Sequence, residues 1–380
     1  MIGITGTNGK TSTAVFLSSI MNAAGIRTAS MGTLGCGFDG EKIPCEGAEI
    51  SDVPSAMTTP DPQFLYGTLS RLYKMGAEAV VMEVSSHSIA QLKVKPIHFE
   101  VGVFTNLSPE HLDFHNSMEE YYKVKASMFA SCQKAVVGCD SGYGARLASE
   151  LGERTRRVIS REARGLVCDA DGVGYTFGEL RIRSAVPGLF TVQNTMLASV
   201  AARELGIDDK TIALGIASAQ SIPGRMEKAC SDTKNNIDVF IDYAHTPEAM
   251  EKAIKTVREF APNRRLTVLF GCGGDRDKTK RPVMGGLAER TCDRVIITSD
   301  NPRTEDRNSI ILDILAGVRE HDNIRVILNR AEAIRYAVLT ARRDEIILLC
   351  GKGHEDYETD SEGKHPFCEK DIAREAVRRR

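Results

Sequence analysis

No apolar run in these 380 residues approaches the roughly 20 needed to cross a bilayer, so a membrane-embedded role is excluded for helical segments. Charge of one sign is missing too. Lys and Arg number 49 against 51 Asp and Glu, a net of -2, which argues against a nucleic-acid or membrane-surface partner. The one basic cluster, Arg378-Arg379-Arg380, reads as the solvated end of a helix. Asn8, Gly9 and Lys10 interrupt the N-terminal stretch too early for a signal peptide. Ten cysteines are present, yet no two form a C-x-x-C pair. That scatter excludes common zinc spacings and reads as reduced thiols in the cytoplasm. Repeats and low-complexity tracts are absent as well.

What remains is a chain of ordinary globular composition, long enough for two or three domains. From Ile237 onward, apolar runs alternate with helical patterns: "IDVFIDYA", a helix N-capped by Thr246 with Pro247 at its first position, "RLTVLFG", "RVIITSD", "RVIL", "EIILLC" and a last helix from Glu369. Such alternation predicts a parallel, doubly wound sheet. The first 220 residues also begin as α/β, with strands "RTASMG", "AVVMEV" and "VGVFTN" in one sheet. Between Leu166 and Ser184 the pattern changes to "GVGYTFGEL" and "RIRSA", an antiparallel hairpin or side sheet. "SIPGR" at 221–225 is the linker candidate, giving domains 1–222 and 223–380.

Chemistry enters with "MIGITGTNGKTS". The spacing G-x-x-x-x-G-K-[ST] fails, because Ile4 stands five residues before Gly9. Gly6, Thr7, Asn8, Gly9, Lys10 and Thr11 nevertheless keep the physics of a phosphate loop. Glycines open the backbone N–H groups to an anion, a helix start follows, Lys10 adds a cation, and Thr11 offers a hydroxyl to magnesium. Glu83 ends one strand, and His111 and Asp113 follow another in "TNLSPEHLDFH". Strand ends in a parallel sheet converge on the crevice where the loop opens. One carboxylate with phosphate oxygens suffices for magnesium. His111 reads equally well as a loop hydrogen-bonder, and His87 and His115 default to that role.

"GTNGKT", "EVSSH", "TNLSPEHLDFH", "DYAHTP", "DNPR" and "GKGHE", in this order, resemble the Mur ligases of peptidoglycan synthesis, and among them the diaminopimelate-adding branch. The resemblance covers essentially the whole chain. It implies a central parallel-sheet ATPase domain and a C-terminal Rossmann-like domain. It also implies an ATP- and Mg2+-dependent amide ligase that works in cell-wall biogenesis, and so in cell shape and division, as a cytoplasmic monomer. The acceptor would be a UDP-linked muramoyl dipeptide and the donor amine meso-diaminopimelate. Lys10, Glu83, His111 and Lys125 would be catalytic; Thr11, Glu83, His111 and a carbamylated Lys125 would hold metal. Asn194, Arg225, Asp242 and His245 would join the phosphate loop on ATP. Thr58, Thr59, Ser85, Gln91 and Lys93 would hold the muramoyl dipeptide. Lys93 stands where many relatives carry arginine, and it lacks the guanidinium fork. Arg276, Asp300, Asn301, Pro302, Arg303, Gly351 and Glu355 would hold diaminopimelate. Arg303 would clamp its distal carboxylate and Glu355 would receive its distal ammonium. Two rivals stand beside this reading: a ligase extending a folate or cyanophycin-type acceptor, and a non-catalytic nucleotide-binding remnant.

The family also carries a separate domain ahead of the loop that grips uridine diphosphate. The first strand here is clipped to about four residues against a usual 5 to 6. The expectation is therefore a start downstream of the true one, rather than an enzyme that works without that grip. Such a chain would bind ATP and magnesium but hold a UDP-linked acceptor weakly.

Overall fold

A computed structural model describes residues 1–43, 58–111, 114–320 and 322–380. Cys45 and Asp113 lie outside the described residues. Contacts divide the chain into two compact units, the first built mainly from 1–168 and 189–220 and the second mainly from 221–380.

The first unit is organised by an eight-stranded sheet. Its strands are β1 (Ile2–Thr5), β2 (Thr28–Gly32), β3 (Gly35–Phe38), β4 (Glu41–Lys42), β5 (Ala79–Glu83), β6 (Phe99–Phe104), β7 (Cys132–Gly138) and β8 (Thr155–Val158), in the order β4-β3-β2-β5-β1-β6-β7-β8. Every residue of β1 is buried, as a strand covered on both faces requires. It pairs in parallel with β5 (Ile4 beside Glu83) and with β6 (Thr5 beside Phe104). The three strands read from sequence thus share one sheet with β1. The β3–β4 hairpin, antiparallel to β2, was not legible, because "GCGF" and "EK" are too short and glycine-rich to show a period. The change of pattern after Leu166 is a separate three-stranded sheet, β9 (Arg164–Asp169), β10 (Gly172–Phe177) and β11 (Leu180–Ser184), with β10 and β11 antiparallel.

The second unit carries six strands, β12 (Glu227–Asp232), β13 (Ile237–Asp242), β14 (Arg265–Phe270), β15 (Arg294–Ile297), β16 (Ile324–Val326) and β17 (Glu345–Cys350), in the order β12-β13-β17-β14-β15-β16. The five strands from Ile237 onward are parallel, as expected; β12, which precedes them and was not read from the sequence, runs antiparallel to β13 at an edge of the sheet. A small hairpin, β18 (Tyr357–Asp360) with β19 (Gly363–Pro366), follows "GKGHE". Thr246 caps its helix as expected, its hydroxyl accepting from the Ala249 N–H with Pro247 first in the helix. No helix is long and apolar enough to cross a membrane among the described residues. The nine described cysteines are free thiols, and Cys272 and Cys350 are buried as small hydrophobes.

The helix Lys10–Ala23, which begins at the phosphate loop, is held by the helix Asp209–Ser218 through one glycine. A Cβ on Gly215 would lie 2.4 Å from the Ile20 Cα. Helix propensity favours alanine over glycine by about 1 kcal/mol. Overpacking against fixed backbone costs about 1–3 kcal/mol, so the clash should win. Gly215→Ala is expected to lower the urea midpoint of unfolding; a raised midpoint would show that the two helices part freely.

Candidate active site

The phosphate loop leaves the carboxyl end of β1, where the chain turns to opposite sides of the strand, the position at which open α/β sheets bind ligands. It is pinned to the residues after β6. The Thr7 N–H donates to the Asn106 carbonyl (2.9 Å), the Asn8 N–H to Asn106 Oδ1 (3.0 Å), and Thr105 Oγ1 to the Asn8 carbonyl (2.6 Å). Gly6 (φ 144°) could not carry a side chain, since its Cβ would fall 1.9 Å from Thr105 Oγ1. Gly9 (φ 85°) faces Asn194 Oδ1 at 2.4 Å from a Cβ position, which is why the helix can start there. Asn194 is buried and lies within reach of Thr13 Oγ1 at 3.4 Å, under the first turn of that helix.

Two amines converge on one backbone oxygen. Lys10 Nζ donates to the Gly6 and Thr7 carbonyls and Lys125 Nζ to the Gly6 carbonyl, each at 2.9 Å. Lys125 is 1% exposed. Burial, with the Lys10 charge adding to it, holds its amine well below the ordinary lysine range. Its ammonium position lies 4.8 Å from the centre of the Tyr121 ring. Tyr121 is itself buried, its hydroxyl pushed up to about 12 by desolvation and 3.3 Å from Thr7 Oγ1.

Glu83 ends β5 directly beside the loop. Its Oε2 accepts from Thr11 Oγ1 (3.0 Å) and Thr33 Oγ1 (3.2 Å), and its Oε1 from the Thr33 N–H (2.9 Å). The carboxylate fills the space where a Cβ on Gly32 would stand, 2.2 Å from Oε1. Among the described residues no group of three or more His, Cys, Asp or Glu forms a metal cage. Hard oxygens from Thr11 and Glu83 fit magnesium all the same, since that ion takes one or two carboxylates and completes its shell with phosphate and water. His111 is exposed at φ 55°, its ring 5.0 Å from that of His87, which also packs on Phe114 at 4.1 Å.

The expected dipeptide-side residues divide. Thr59 is buried, its hydroxyl donating to the Glu83 carbonyl and accepting from the Ser85 N–H, both at 3.0 Å. Ser85 caps the short helix Ser86–Ala90. Thr58 Oγ1 is 3.3 Å from Thr33 Oγ1, Gln91 is exposed, and Lys93 pairs with Asp61 at 2.5 Å.

In the second unit, "DYAHTP", "GGDR", "DNPR" and "GKGHE" all follow carboxyl ends of parallel strands: β13, β14, β15 and β17. Asp242 accepts from the Met226 N–H (2.8 Å) and the Ala244 N–H (3.0 Å); desolvation still holds its carboxyl above the usual range, against the pull of Arg225. The Tyr243 ring lies 4.7 Å from that of His245, 5.1 Å from that of His354 and 5.4 Å from the Arg225 guanidinium. Gly224 packs onto the next motif, with 2.4 Å between its Cβ position and the His354 nitrogen.

Asn301 is the junction of the remaining loops. Its Nδ2 donates to Glu355 Oε2 (2.8 Å), while its Oδ1 accepts from Lys352 Nζ (2.8 Å) and the Thr359 N–H (2.9 Å). Gly351 (φ 115°) allows the Asp300 carboxylate to press against it, 2.5 Å from a Cβ position. Pro302 is buried. Arg303, at φ 52°, gives Nη1 to the Gly274 carbonyl (2.7 Å); among the described residues no other acceptor meets its guanidinium. Burial raises the Glu355 carboxyl, and Asp300 adds to it. Arg276 is exposed. His111 and Arg303 are two of the eight non-glycine residues at positive φ among the described residues, a conformation that costs roughly 1–3 kcal/mol each. Sequence reasoning missed Thr33, Asn106, Tyr121, Lys352 and the β18–β19 hairpin. Of these, Asn106, Lys352 and Tyr121 stand inside or next to motifs that were read.

Residues 4–202 match the Mur ligase middle domain and 224–353 the Mur ligase glutamate ligase domain. The chain belongs to the Mur ligase family of ATP-dependent ligases. It is 39% identical over 412 residues to the UDP-N-acetylmuramoyl-L-alanyl-D-glutamate--2,6-diaminopimelate ligase of Geobacter metallireducens, covering 100% of this chain and 78% of that one. To the protein of the same name in Pseudomonas putida it is 40% identical over 401 residues, covering 99% and 78%. A solved structure of a ligase of this name superposes with a TM-score of 0.70 at 30% identity, over 100% of this chain and 78% of that one. Folylpolyglutamate synthase of Mycobacterium tuberculosis shares the fold, at a TM-score of 0.69 and 19% identity over 92% of this chain and 88% of its own.

The buried Lys125 amine generates the test for this site. Lys125→Met removes a buried, poorly solvated amine and leaves the Gly6 carbonyl its contact with Lys10. Ligation should fall by roughly 10²-fold or more. Thermal unfolding of the ligand-free protein should occur at higher temperature, by an amount on the order of 1 kcal/mol. A variant that loses stability would show that the amine is well compensated where it lies.

Proposed function

We propose that the chain joins meso-diaminopimelate to UDP-N-acetylmuramoyl-L-alanyl-D-glutamate at the expense of ATP, as a cytoplasmic monomer with Mg2+. Residues 1–222 would bind ATP and activate the acceptor, and 223–380 would supply the amino acid. The observation that carries this reading is the presence, in two loops at the carboxyl edge of the second unit's sheet, of a guanidinium with a single backbone acceptor among the described residues and a partly desolvated carboxylate. Diaminopimelate is lysine with a second carboxylate, so its far end is zwitterionic. Arg303 suits that carboxylate and Glu355 suits that ammonium.

The acceptor carboxylate attacks the γ-phosphorus, ADP leaves, and an acyl phosphate forms. The amine of diaminopimelate then attacks the acyl carbon, phosphate leaves with one carboxylate oxygen, and the amine gives up a proton. The chain supplies position and charge, which is most of what phosphoryl transfer needs. The Gly9-Lys10-Thr11 start of the helix and the Lys10 amine would face the phosphates, while the Thr7 and Asn8 N–H groups are held by Asn106. Thr11 and Glu83, with His111 and a carbamylated Lys125 as the further expected ligands, would hold magnesium, which would supply neutralising charge to the phosphates. Lys125 suits carbamylation because a neutral amine is the form that reacts with carbon dioxide, and the product is an anion. Arg225, Asp242 and His245 serve the nucleotide side of the second unit, and Thr58, Ser85, Gln91 and Lys93 the dipeptide.

Three measurements test this. Lys10→Ala should abolish ligation and leave the circular dichroism unchanged; near-parental acceptor-dependent ADP release would refute the loop's role. Arg303→Ala should weaken diaminopimelate use by at least about 2 kcal/mol, roughly thirtyfold, and leave the ATP requirement alone. An unchanged preference for diaminopimelate over lysine would remove the assignment. The raised Glu355 carboxyl makes the third. Its ionised form binds the ammonium, so kcat/KM for diaminopimelate should fall on acidification, starting at a higher pH than an ordinary carboxylate would give. Glu355→Gln should flatten that limb, and an identical acid limb in the variant would assign it elsewhere.

A further inference from the structure

Arg330 is the first residue of the helix Arg330–Leu339 and is 1% exposed. This is an awkward place for a cation, at the positive end of a helix dipole and out of water. Each of its three guanidinium nitrogens donates to another part of the fold. Nε donates to Glu369 Oε1 (2.8 Å), Nη1 to the Ser299 carbonyl (3.1 Å) and Nη2 to the Cys350 carbonyl (2.8 Å); the Asp300 carboxylate is 3.9 Å from Nη1. Glu369, buried at the start of the last helix, supplies the balancing charge.

The two carbonyls define what this arrangement can do. Ser299 is the residue before Asp300-Asn301-Pro302-Arg303, and Cys350 is the residue before Gly351-Lys352-Gly353-His354-Glu355. β14 lies between β15 and β17, so these loops leave strands that do not pair with each other. One planar fork therefore fixes where both loops depart from the sheet. Asn301 joins them further out, at Glu355, and Gly351 lets Asp300 close the gap between. A lysine could not reproduce this, since a single ammonium does not reach three acceptors in a plane.

We propose that Arg330 is a positioning residue for the amino-acid subsite: by holding the Ser299 and Cys350 carbonyls it sets the separation of Arg303 and Glu355, and so the selection of an amino acid with a zwitterionic far end. This rests on the reading of those two loops given under the proposed function. Arg330 touches no substrate, and its effect passes through Arg303 and Glu355.

The test is steady-state kinetics of Arg330→Lys, Arg303→Ala and the double variant in the full chain, with diaminopimelate and lysine as competing amines. Arg330→Lys should raise KM for diaminopimelate roughly tenfold or more and narrow the preference over lysine, since small displacements of positioning groups are costly. KM for ATP should stay within about twofold, a split that general loss of structure would not give. In the Arg303→Ala background the same change should add little, because coupled residues are not additive. If Arg330→Lys does not fold, the pair Arg330→Met with Glu369→Met removes both charges together and carries the same comparison. An unchanged KM for diaminopimelate, an equal rise for ATP, or full additivity with Arg303→Ala overturns the positioning role. An unchanged preference in Arg303→Ala alone overturns the reading of the loops, and this proposal with it.

Discussion

Parallel pairing of buried strands is the constraint on which both units depend. In the first, β1 lies between β5 and β6 with Ile4 beside Glu83 and Thr5 beside Phe104, so the phosphate loop, the Glu83 carboxylate and the Asn106 loop emerge together. In the second, the register of β13, β17, β14 and β15 delivers four loops to one edge. A slip of one residue would turn each strand's side chains to the other face and take these loops out of line. Glycines then permit the approach the chemistry requires. Gly32 admits Glu83, and Gly351 admits Asp300.

The same edges store unfavourable electrostatics. Lys125 and Lys352 are both buried amines held below the lysine range by desolvation, and Glu355 is a carboxyl held above its own. None of these is an arrangement that stability alone would select, since buried charge is costly unless fully paired. On the proposed reading, phosphates would meet Lys10, an anionic carbamate would form on Lys125, and an ammonium would meet Glu355. Perturbed groups gather at functional sites for this reason. Arg330 shows the other solution, a buried cation whose three nitrogens all donate within the protein.

Much of this was legible in the sequence because it depends on local pattern. The phosphate loop, the strands bearing Glu83 and Asp242, and the Thr246 cap follow from period, glycine placement and capping chemistry. The ordered motifs added the family. What could not be read depends on contacts distant in sequence. Thr33 matters only because β2 lies beside β5, and Arg330 only because its side chain reaches the ends of β15 and β17. The antiparallel β12 was invisible for a related reason: an edge strand's direction is set by its partner and leaves no mark on its own alternation. Lys125 reads as a surface lysine on a helix until the fold buries it against the Gly6 carbonyl.

The central claim is that this chain makes an amide by first phosphorylating the acceptor carboxylate. The most direct test is oxygen transfer. The acceptor UDP-N-acetylmuramoyl-L-alanyl-D-glutamate is labelled with oxygen-18 in its terminal carboxylate and incubated with ATP, Mg2+ and diaminopimelate, and the released phosphate is examined by mass spectrometry. An acyl phosphate route predicts a single labelled oxygen in each phosphate, formed in step with the amide product. Unlabelled phosphate accompanying amide formation would contradict it.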